Sequence, residues 1–209
     1  MSRTLSVDAV ILRTIDIGEA DRFCILFTRQ HGRKAARARA VRKTTSRLGA
    51  MLLPFRSLKL ELHETDHSLT ITSAVPLHSV DPPSEFSSVL ALQQGIELLL
   101  ALTEDDEVMP AVFDLLQSFI SSADQHALIP FQLRLLHLLG LLPAVTEYGR
   151  FDRLDPSTKV FIEACTQIPD ISMLMRLPYP RDIVQKYVVD VLSEHLSAPL
   201  RSTVVASLL

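Results

Sequence analysis

Cysteine and glycine are scarce in this chain of 209 residues, which has two cysteines and six glycines. Cys24 and Cys165 lie far apart in apolar segments, which excludes a disulfide framework or a cysteine-rich zinc site and predicts two buried thiols. The sequence also has no G-x-x-x-x-G-K-S/T phosphate loop, G-x-S-x-G elbow, H-E-x-x-H helix or G-x-G-x-x-G turn. We therefore expect a protein that is not an enzyme and uses neither a metal ion nor another cofactor.

Long apolar runs are missing as well. No segment approaches the roughly 18 to 20 uninterrupted apolar residues that span a bilayer, and the start of the chain lacks the pattern of a signal peptide. We expect a cytoplasmic protein without a membrane partner. His63 and His67, with Glu64 and Asp66, could be metal ligands, but they flank a predicted hairpin turn, where a polar solvated tip is the more ordinary explanation.

Acidic residues are absent between Asp21 and Glu61, although the whole chain has a net charge of -3. The eleven cations in this interval are Arg22, Arg29, Arg33, Lys34, Arg37, Arg39, Arg42, Lys43, Arg47, Arg56 and Lys59. Because a solvated surface normally mixes charges of both signs, this segregation predicts a surface that binds nucleic-acid phosphates. Two alternatives stay open: a solvated basic face without a ligand, and a patch that docks on the protein's own acidic half.

The first part of the chain alternates with the period of two that is typical of half-buried strands. Four apolar segments, "VDAVILRT", "RFCILFTR", "LKLELH" and "SLTITSAV", together with the basic stretch, predict five short strands. That number of strands fits an OB-like barrel. In the basic strand we expect Lys34, Ala36, Ala38 and Ala40 on the inner side, and Arg33, Arg37 and Arg39 on the outer side. Three phenylalanines are predicted to fill the core, with base stacking as the alternative: Phe23, Phe27 and Phe55.

Two prolines in "SVDPPSEF" end the strand pattern, and the later segments have the period of helices. Four of these segments start with a proline, which suits the first turn of a helix. The charge changes at the same place, from a net +6 over residues 1–80 to -9 over residues 81–209. We therefore predict an α+β protein, with an N-terminal OB-fold β-barrel in residues 1–80 and a mostly α-helical domain in residues 84–209. The first helix is expected to bury one stripe, formed by Phe86, Val89, Leu90 and Ile96.

The order of short motifs in the first part of the chain resembles the N-terminal barrel of the bacterial DNA repair protein RecO family. These motifs are Leu12-Arg13, Gly18-Glu19-Ala20-Asp21, Phe27-Thr28, Gly32-Arg33, the run Ala38 to Lys43, and Gly49 with Leu53-Pro54-Phe55. Weaker similarity continues through "PFQLRLLHLLGLLP" and "PLRSTVVASLL". The resemblance therefore extends over nearly the full chain.

The resemblance implies an OB-fold barrel with a helical domain, and a recombination mediator of the RecF pathway rather than an enzyme. Such a mediator binds single- and double-stranded DNA, anneals strands coated with single-strand DNA-binding protein, and acts with RecR to load RecA. Phosphate contacts would fall on Arg33, Lys34, Arg37, Arg39, Arg42, Lys43 and Arg47. The helical domain would bind the C-terminal tail of the single-strand DNA-binding protein, and Arg134 and Arg201 are the candidates to hold the tail's carboxylates because each lies beside an apolar helix.

Three features depart from the family's pattern. The four-cysteine zinc module that many members carry after the Leu-Gly-x-x-Pro turn is missing, so we predict no structural zinc. Ala40 replaces a glycine, which restricts the backbone there, and Ile129 and Pro130 replace arginines of some members. Two other functions stay open, a protein-interaction adaptor that works through the helical domain and an RNA-binding OB-fold protein.

Overall fold

The computed structural model describes residues 2–43, 45–66, 68–77, 85–143, 154–196 and Leu200. The chain forms two compact units: Met1–Pro82 with Thr103–Phe113, and Pro83–Leu102 with Asp114–Leu209. The predicted domain boundary between residues 80 and 84 lies outside the described residues and stays a prediction. Thr103–Phe113 groups with the first unit although it follows in sequence a helix of the second.

Five strands of the first unit close into a barrel. They are β1 Arg3–Ile17, β2 Asp21–Thr28, β3 Gly32–Ala38, β4 Ser57–Thr65 and β5 Ser68–Pro76, with the short helix α1 Arg47–Met51 between β3 and β4. The order around the barrel is β1-β2-β3-β5-β4, and β1 pairs antiparallel with both β2 and β4. The parallel contact of β3 with β5, at Arg37 and Thr70, closes it. This is the five-stranded arrangement of the OB fold, so the predicted barrel is confirmed.

One face of each strand fills the barrel core. On β4 the inward residues are Leu58, Leu60 and Leu62, as the alternation predicted. On β2 they are Cys24 and Leu26, so the prediction that Phe23 fills the core is wrong. Phe23 and Ile25 are half-buried on the outer face of the strand, and Phe27 is fully buried.

Two β-bulges change which residues face the core. In the β4–β5 pairing, Glu61 lies opposite Ser73 and Leu62 opposite Ile71, which leaves Thr72 as an extra residue. An extra residue reverses the inward and outward positions that follow it. Val75, which an unbroken alternation would place on the same face as Ile71, is therefore 59% exposed. A second bulge interrupts the pairing of β1 with β2, between residues 11 and 13.

Helices follow the barrel strands in sequence and account for most of the second unit, so the α+β class is confirmed. They are α2 Phe86–Leu102, α3 Pro110–Ser122, α4 Leu128–Leu138, α5 Pro156–Gln167, α6 Ile171–Leu174 and α7 Arg181–His195, with a 3-10 turn at Gln125–Ala127. None of the helices among the described residues is long and apolar enough to cross a membrane.

The inner face of α2 differs from the predicted stripe. Its buried residues are Ser88, Ala91, Leu92, Gly95, Ile96, Leu98 and Leu99. Phe86 is 65% exposed. Gly95 allows close packing, because a Cβ there would lie 2.3 Å from Cε1 of Phe119. That ring stacks on Phe131 with 4.2 Å between the centroids.

Sequence signals for the ends of helices agree with the structure better than the predicted stripe of α2 does. α3 and α5 begin at the predicted prolines, and α5 is capped by Asp155, whose carboxylate accepts a hydrogen bond from the backbone N–H of Thr158 at 3.1 Å. The two cysteines are buried, as predicted. Burial raises the pKa of the Cys24 thiol to about 11 and that of Cys165 to about 12, so both stay protonated at neutral pH.

Candidate nucleic-acid interface

The basic strand β3 turns small residues inward and a basic side chain outward. Ala36 and Ala38 are fully buried in the barrel core, whereas Ala35 and Arg37 are exposed. Period-two alternation explains this arrangement, since the narrow barrel interior takes the methyl groups. β3 ends at Ala38, so the predicted row of outward arginines at strand spacing does not extend to Arg39.

Asp21, at the start of β2, anchors the chain as it leaves β3. One carboxylate oxygen accepts a hydrogen bond from the backbone N–H of Ala40 at 2.7 Å, and the other accepts one from Nε of Arg37 at 2.9 Å. The Ala40 N–H and then the Arg37 guanidinium lower the pKa of this carboxyl, with a smaller contribution from the charge of Arg39. The segment after β3, which carries Arg39, Arg42 and Lys43, is called the basic loop. Asp21, the last residue of the Gly18–Asp21 motif, therefore fixes the start of this loop.

Ala40 adopts a left-handed backbone conformation, with φ of 55°. Glycine reaches this region without strain, whereas a Cβ makes it unfavourable by about 1–2 kcal/mol. The hydrogen bond to Asp21 holds Ala40 there, so the shape expected of a glycine is kept with an alanine in its place. The prediction that Ala40 lies on the inner side of a strand is wrong, because the residue lies in the turn after β3.

A second anchor joins the basic loop to the turn between β1 and β2. Arg42 donates a hydrogen bond from Nη1 to the carbonyl of Gly18 at 2.7 Å, and its backbone N–H donates to the carbonyl of Ala20 at 3.0 Å. Asp16 pairs with Arg42 and with Arg22, at 3.2 and 2.9 Å from the respective Nε atoms. The hydrogen bond from Arg22 is the main cause of the lowered pKa of Asp16. Arg42 therefore has a structural role in holding the loop.

Gly49 brings α1 close to the same loop. A Cβ at this position would lie 1.9 Å from the carbonyl oxygen of Val41, so only glycine fits without a backbone shift. Its N–H donates to Oγ of Ser46, the N-cap of α1, at 3.1 Å. The loop is thus held at both of its ends.

Four of the seven predicted phosphate contacts pair with acidic side chains of the same unit. Arg37 pairs with Asp21 and Arg42 with Asp16, as described above. Nε of Arg33 lies 2.5 Å from Oδ1 of Asp105, and Nζ of Lys34 lies 2.6 Å from Oδ1 of Asp106. The basic run is therefore acid-free in sequence but not in space. Asp105 and Asp106 belong to the acidic half of the sequence, so the alternative in which the run docks on the protein's own acidic half applies to Arg33 and Lys34.

The other three predicted contacts are exposed: Arg39, Lys43 and Arg47. Over the described ranges they form no ion pair, and we call them the open cations. Arg39 and Lys43 lie in the loop held by Asp21 and Asp16, and Arg47 is the first residue of α1. Because none of the three is held in an ion pair within the described chain, they are the part of the basic run that is available to phosphates.

An aromatic ring lies beside the basic strand on the outer face of the barrel. Phe23 is directly opposite Ile15 on β1 and Arg37 on β3, and paired residues of neighbouring strands share a face. Phe23 is half-buried, and Ile15 is 46% exposed. A base could stack on this ring while a phosphate meets the neighbouring cations, which sequence reasoning had treated as the lesser possibility for Phe23.

The weaker candidates for tail binding lie in the helical part. Nη1 of Arg134 on α4 donates hydrogen bonds to the carbonyls of Cys165 and Thr166 in the last turn of α5, each at 3.0 Å. Desolvation lowers the pKa of its guanidinium. Arg134 thus caps a helix end, and its role toward a tail stays a prediction. Arg201 lies outside the described residues, as does the segment 144–153 on which the prediction of no structural zinc depends.

Within the described ranges, no group of three or more His, Cys, Asp or Glu side chains is placed to hold a metal ion. His67 lies outside those ranges.

The acids that pair with the basic run are the functional residues that sequence reasoning missed. Asp16 and Asp21 precede the run, and Asp105 lies 72 positions after its partner Arg33. The sequence carried one signal for Asp105 and Asp106, the consecutive acids "EDDE" at 104–107, which complement the basic run in charge. No local pattern indicated that this tetrapeptide would return to β3.

Comparison with known proteins finds a family model that matches the barrel. Residues 1–80 match the family model described as "Recombination protein O N terminal". This range contains all five strands and every predicted phosphate contact. The resemblance to RecO that the motif order indicated is confirmed.

Several curated relatives named "DNA repair protein RecO" match the chain. The protein from Myxococcus xanthus is 33% identical over 148 residues, which is 65% of this chain and 59% of the relative. The one from Geobacter sulfurreducens is 34% identical over 141 residues, 64% of this chain and 57% of the relative. A Nocardioides protein is 50% identical over 70 residues, 34% of this chain and 29% of the relative. The matched part of the chain thus spans less than two thirds of the length of these relatives.

Proposed function

Because residues 1–80 match the N-terminal domain of RecO, we propose that this protein binds single- and double-stranded DNA and acts in DNA repair as a recombination mediator, not as an enzyme. The observation that supports this most directly is the set of open cations. Arg39 and Lys43 lie on a loop that two carboxylates hold against a closed barrel, and Arg47 begins the helix that follows this loop. A surface of this kind binds phosphates without reading base sequence.

The binding energy in this proposal comes from charge neutralisation. Each cation that contacts a phosphate releases condensed counterions, so affinity falls as salt rises and does not depend on base sequence. Arg37 remains a contributor, because its side chain is 48% exposed although it pairs with Asp21. The anchors at Asp21 and Asp16 fix the loop before DNA binds, which reduces the conformational entropy lost on binding.

Single strands gain a further contact from Phe23. Its ring shares the outer face with Arg37, so a base stacked on the ring would place its phosphate near the cations. Stacking on an aromatic side chain is worth about 1–3 kcal/mol per base and tolerates every base type. OB-fold proteins combine such rings with a basic groove in this way.

Annealing follows from neutralising two strands at once. Bare phosphates of complementary strands repel each other, and cations on the barrel screen that repulsion while base pairing selects the partner. We extend the proposal to strands coated with single-strand DNA-binding protein, with Arg134 and Arg201 as candidates for its C-terminal tail, and to RecR as the partner in RecA loading. The motif resemblance to the RecO family supports this extension.

The test is annealing of complementary labelled oligonucleotides coated with single-strand DNA-binding protein, followed by energy transfer. We expect the protein to accelerate annealing, and the variant R39Q/K43Q/R47Q to lose most of that effect. The matched control is K59Q/R176Q/K186Q, which removes the same charge from three cations that are exposed and form no ion pair among the described residues. Equal loss in both variants would mean that net charge alone matters. No acceleration by the unaltered protein would reject the mediator function.

An adaptor is the second candidate, because four of the seven predicted contacts are neutralised within the chain. An adaptor would keep its protein partners without binding DNA at moderate salt. RNA binding shares the electrostatics of the DNA proposal, so competition between matched RNA and DNA strands is the arm that separates them.

A further inference from the structure

A short acidic stretch of the first unit lies along the beginning of the basic strand. We call Glu104–Glu107 the acidic segment. Asp105 forms a parallel bridge with Arg33, and the backbone N–H of Asp106 donates a hydrogen bond to the carbonyl of Arg33 at 3.1 Å. The acidic segment therefore continues the edge of β3 by main-chain contacts as well as by charge.

Gly32 makes this close approach possible. Its φ is 64°, and a Cβ there would lie 2.0 Å from the carbonyl oxygen of Glu107. A side chain at this position would push the acidic segment away from β3. Asp106 itself has φ of 67°, a conformation that aspartate tolerates better than most residues. Gly32 on β3 and Asp106 in the acidic segment are thus both residues that suit this contact.

The side chains of the acidic segment cover the cations rather than the reverse. The side chain of Arg33 is 18% exposed and that of Lys34 28%, whereas their partners Asp105 and Asp106 are 75% and 67% exposed. A phosphate approaching from solvent would meet the two carboxylates first. To contact either cation it would have to displace a carboxylate oxygen at 2.5 or 2.6 Å.

We propose that the acidic segment occupies the place of phosphates at the start of the basic strand, withholds Arg33 and Lys34 from nucleic acid, and so ends the DNA path at Arg37. Carboxylate oxygens are suited to this, because they accept charge-assisted hydrogen bonds from Arg and Lys as phosphate oxygens do. This inference rests on the proposed function, since it defines which part of the basic surface DNA contacts. Asp105 and Asp106 are then positioning residues that limit the binding site.

The salt dependence of DNA binding measures directly how many cations contact phosphates. The slope of log K against log salt concentration changes by about 0.7 per phosphate contact for single strands and about 0.9 for B-DNA. In the unaltered protein, Arg33 and Lys34 contribute nothing to that slope. Asp105→Asn with Asp106→Asn keeps the size of both side chains, removes their charge and exposes two more cations. The slope for a single strand should then become steeper by about 1.4, and that for a duplex by about 1.8.

The acidic segment provides its own control. Glu104 and Glu107 are exposed and form no ion pair among the residues that the structure describes. E104Q/E107Q removes the same two charges from the same four residues without uncovering a cation. It should raise affinity slightly through the weaker general field and leave the slope unchanged. The probe is a fluorescein-labelled single-stranded oligonucleotide of mixed sequence, titrated at a series of sodium chloride concentrations.

Substitution of the two cations, instead of their acidic partners, covers the case in which D105N/D106N fails to fold. R33Q/K34Q in the otherwise unaltered protein should bind with an unchanged slope, because these cations do not touch DNA. In the D105N/D106N background the same change should remove the added slope of about 1.4. A drop of that size from R33Q/K34Q alone would overturn the inference, since it would mean that DNA displaces the acidic segment.

The remaining outcomes separate this inference from the proposed function. If the unaltered protein binds DNA with the same slope as D105N/D106N, the masking is refuted while DNA binding stands. If neither the unaltered protein nor D105N/D106N binds the oligonucleotide, both the masking and the DNA-binding function are refuted.

Discussion

Replacing Ala40 by glycine should stabilise the protein. The residue has φ of 55°, held by the hydrogen bond from its N–H to Asp21. A non-glycine residue in this region is unfavourable by about 1–2 kcal/mol, and the larger unfolded-state entropy of glycine offsets about 0.4–1 kcal/mol of the relief. The net gain is about 0.5–1 kcal/mol. For cooperative unfolding of a chain of this length, that corresponds to an increase in Tm of about 1–4 °C.

Ala35→Gly is the matched control, because Ala35 is exposed on β3 and its φ is not positive. The same chemical change there should destabilise by about 0.5–1 kcal/mol, since glycine weakens a strand. Urea denaturation followed by circular dichroism measures both variants. Opposite signs are expected for the two substitutions. If Ala40→Gly destabilises as much as Ala35→Gly, the strain assigned to Ala40 is refuted.

Three further predictions concern Gly49, Asp155 and Phe23. Gly49→Ala should destabilise by about 1–3 kcal/mol through overpacking against Val41, and an unchanged denaturation midpoint would contradict the close approach. The hydrogen bond from Ser157, followed by those from Thr158, lowers the pKa of Asp155 to about 2 from 3.8. Its stabilising contribution is therefore present above about pH 3.8 and is lost as the pH falls toward 2. Asp155→Ala should remove that part of the acid transition seen by circular dichroism, and identical pH profiles would speak against it. Phe23→Leu should weaken single-strand binding by about 1–3 kcal/mol per stacked base and leave duplex affinity unchanged, whereas equal loss with both substrates would exclude stacking.

Sequence patterns predicted the features that depend on nearby residues. The inward leucines of β4 and the alanines at 36 and 38 followed from simple alternation, because each of these strands has one face in the core. The starts of α3 and α5 depend on the prolines at those positions, so the sequence displays them directly. The RecO resemblance rested on ordered motifs, of which the Gly18–Asp21 turn now has a physical role in holding the basic loop.

Features that depend on an inserted residue or a distant partner were not predictable in this way. The bulge at Thr72 reversed the direction of Val75, and no residue in β5 signals such an insertion. The predicted core face of β2 was wrong because both faces of that strand carry apolar residues, so alternation could not choose between Phe23 and Cys24. Asp105 joins the basic strand only in the folded chain, so the run from Arg33 to Arg47 looked uniformly available although its two ends differ.

The central claim is that the open cations bind nucleic-acid phosphates. It is tested most directly by the salt dependence of affinity for a labelled single strand, compared between the unaltered protein and R39Q/K43Q/R47Q. Loss of three phosphate contacts should reduce the slope of log K against log salt by about 2, while K59Q/R176Q/K186Q keeps the original slope. An unchanged slope in R39Q/K43Q/R47Q would contradict the claim, because it would mean that DNA binds elsewhere on the protein.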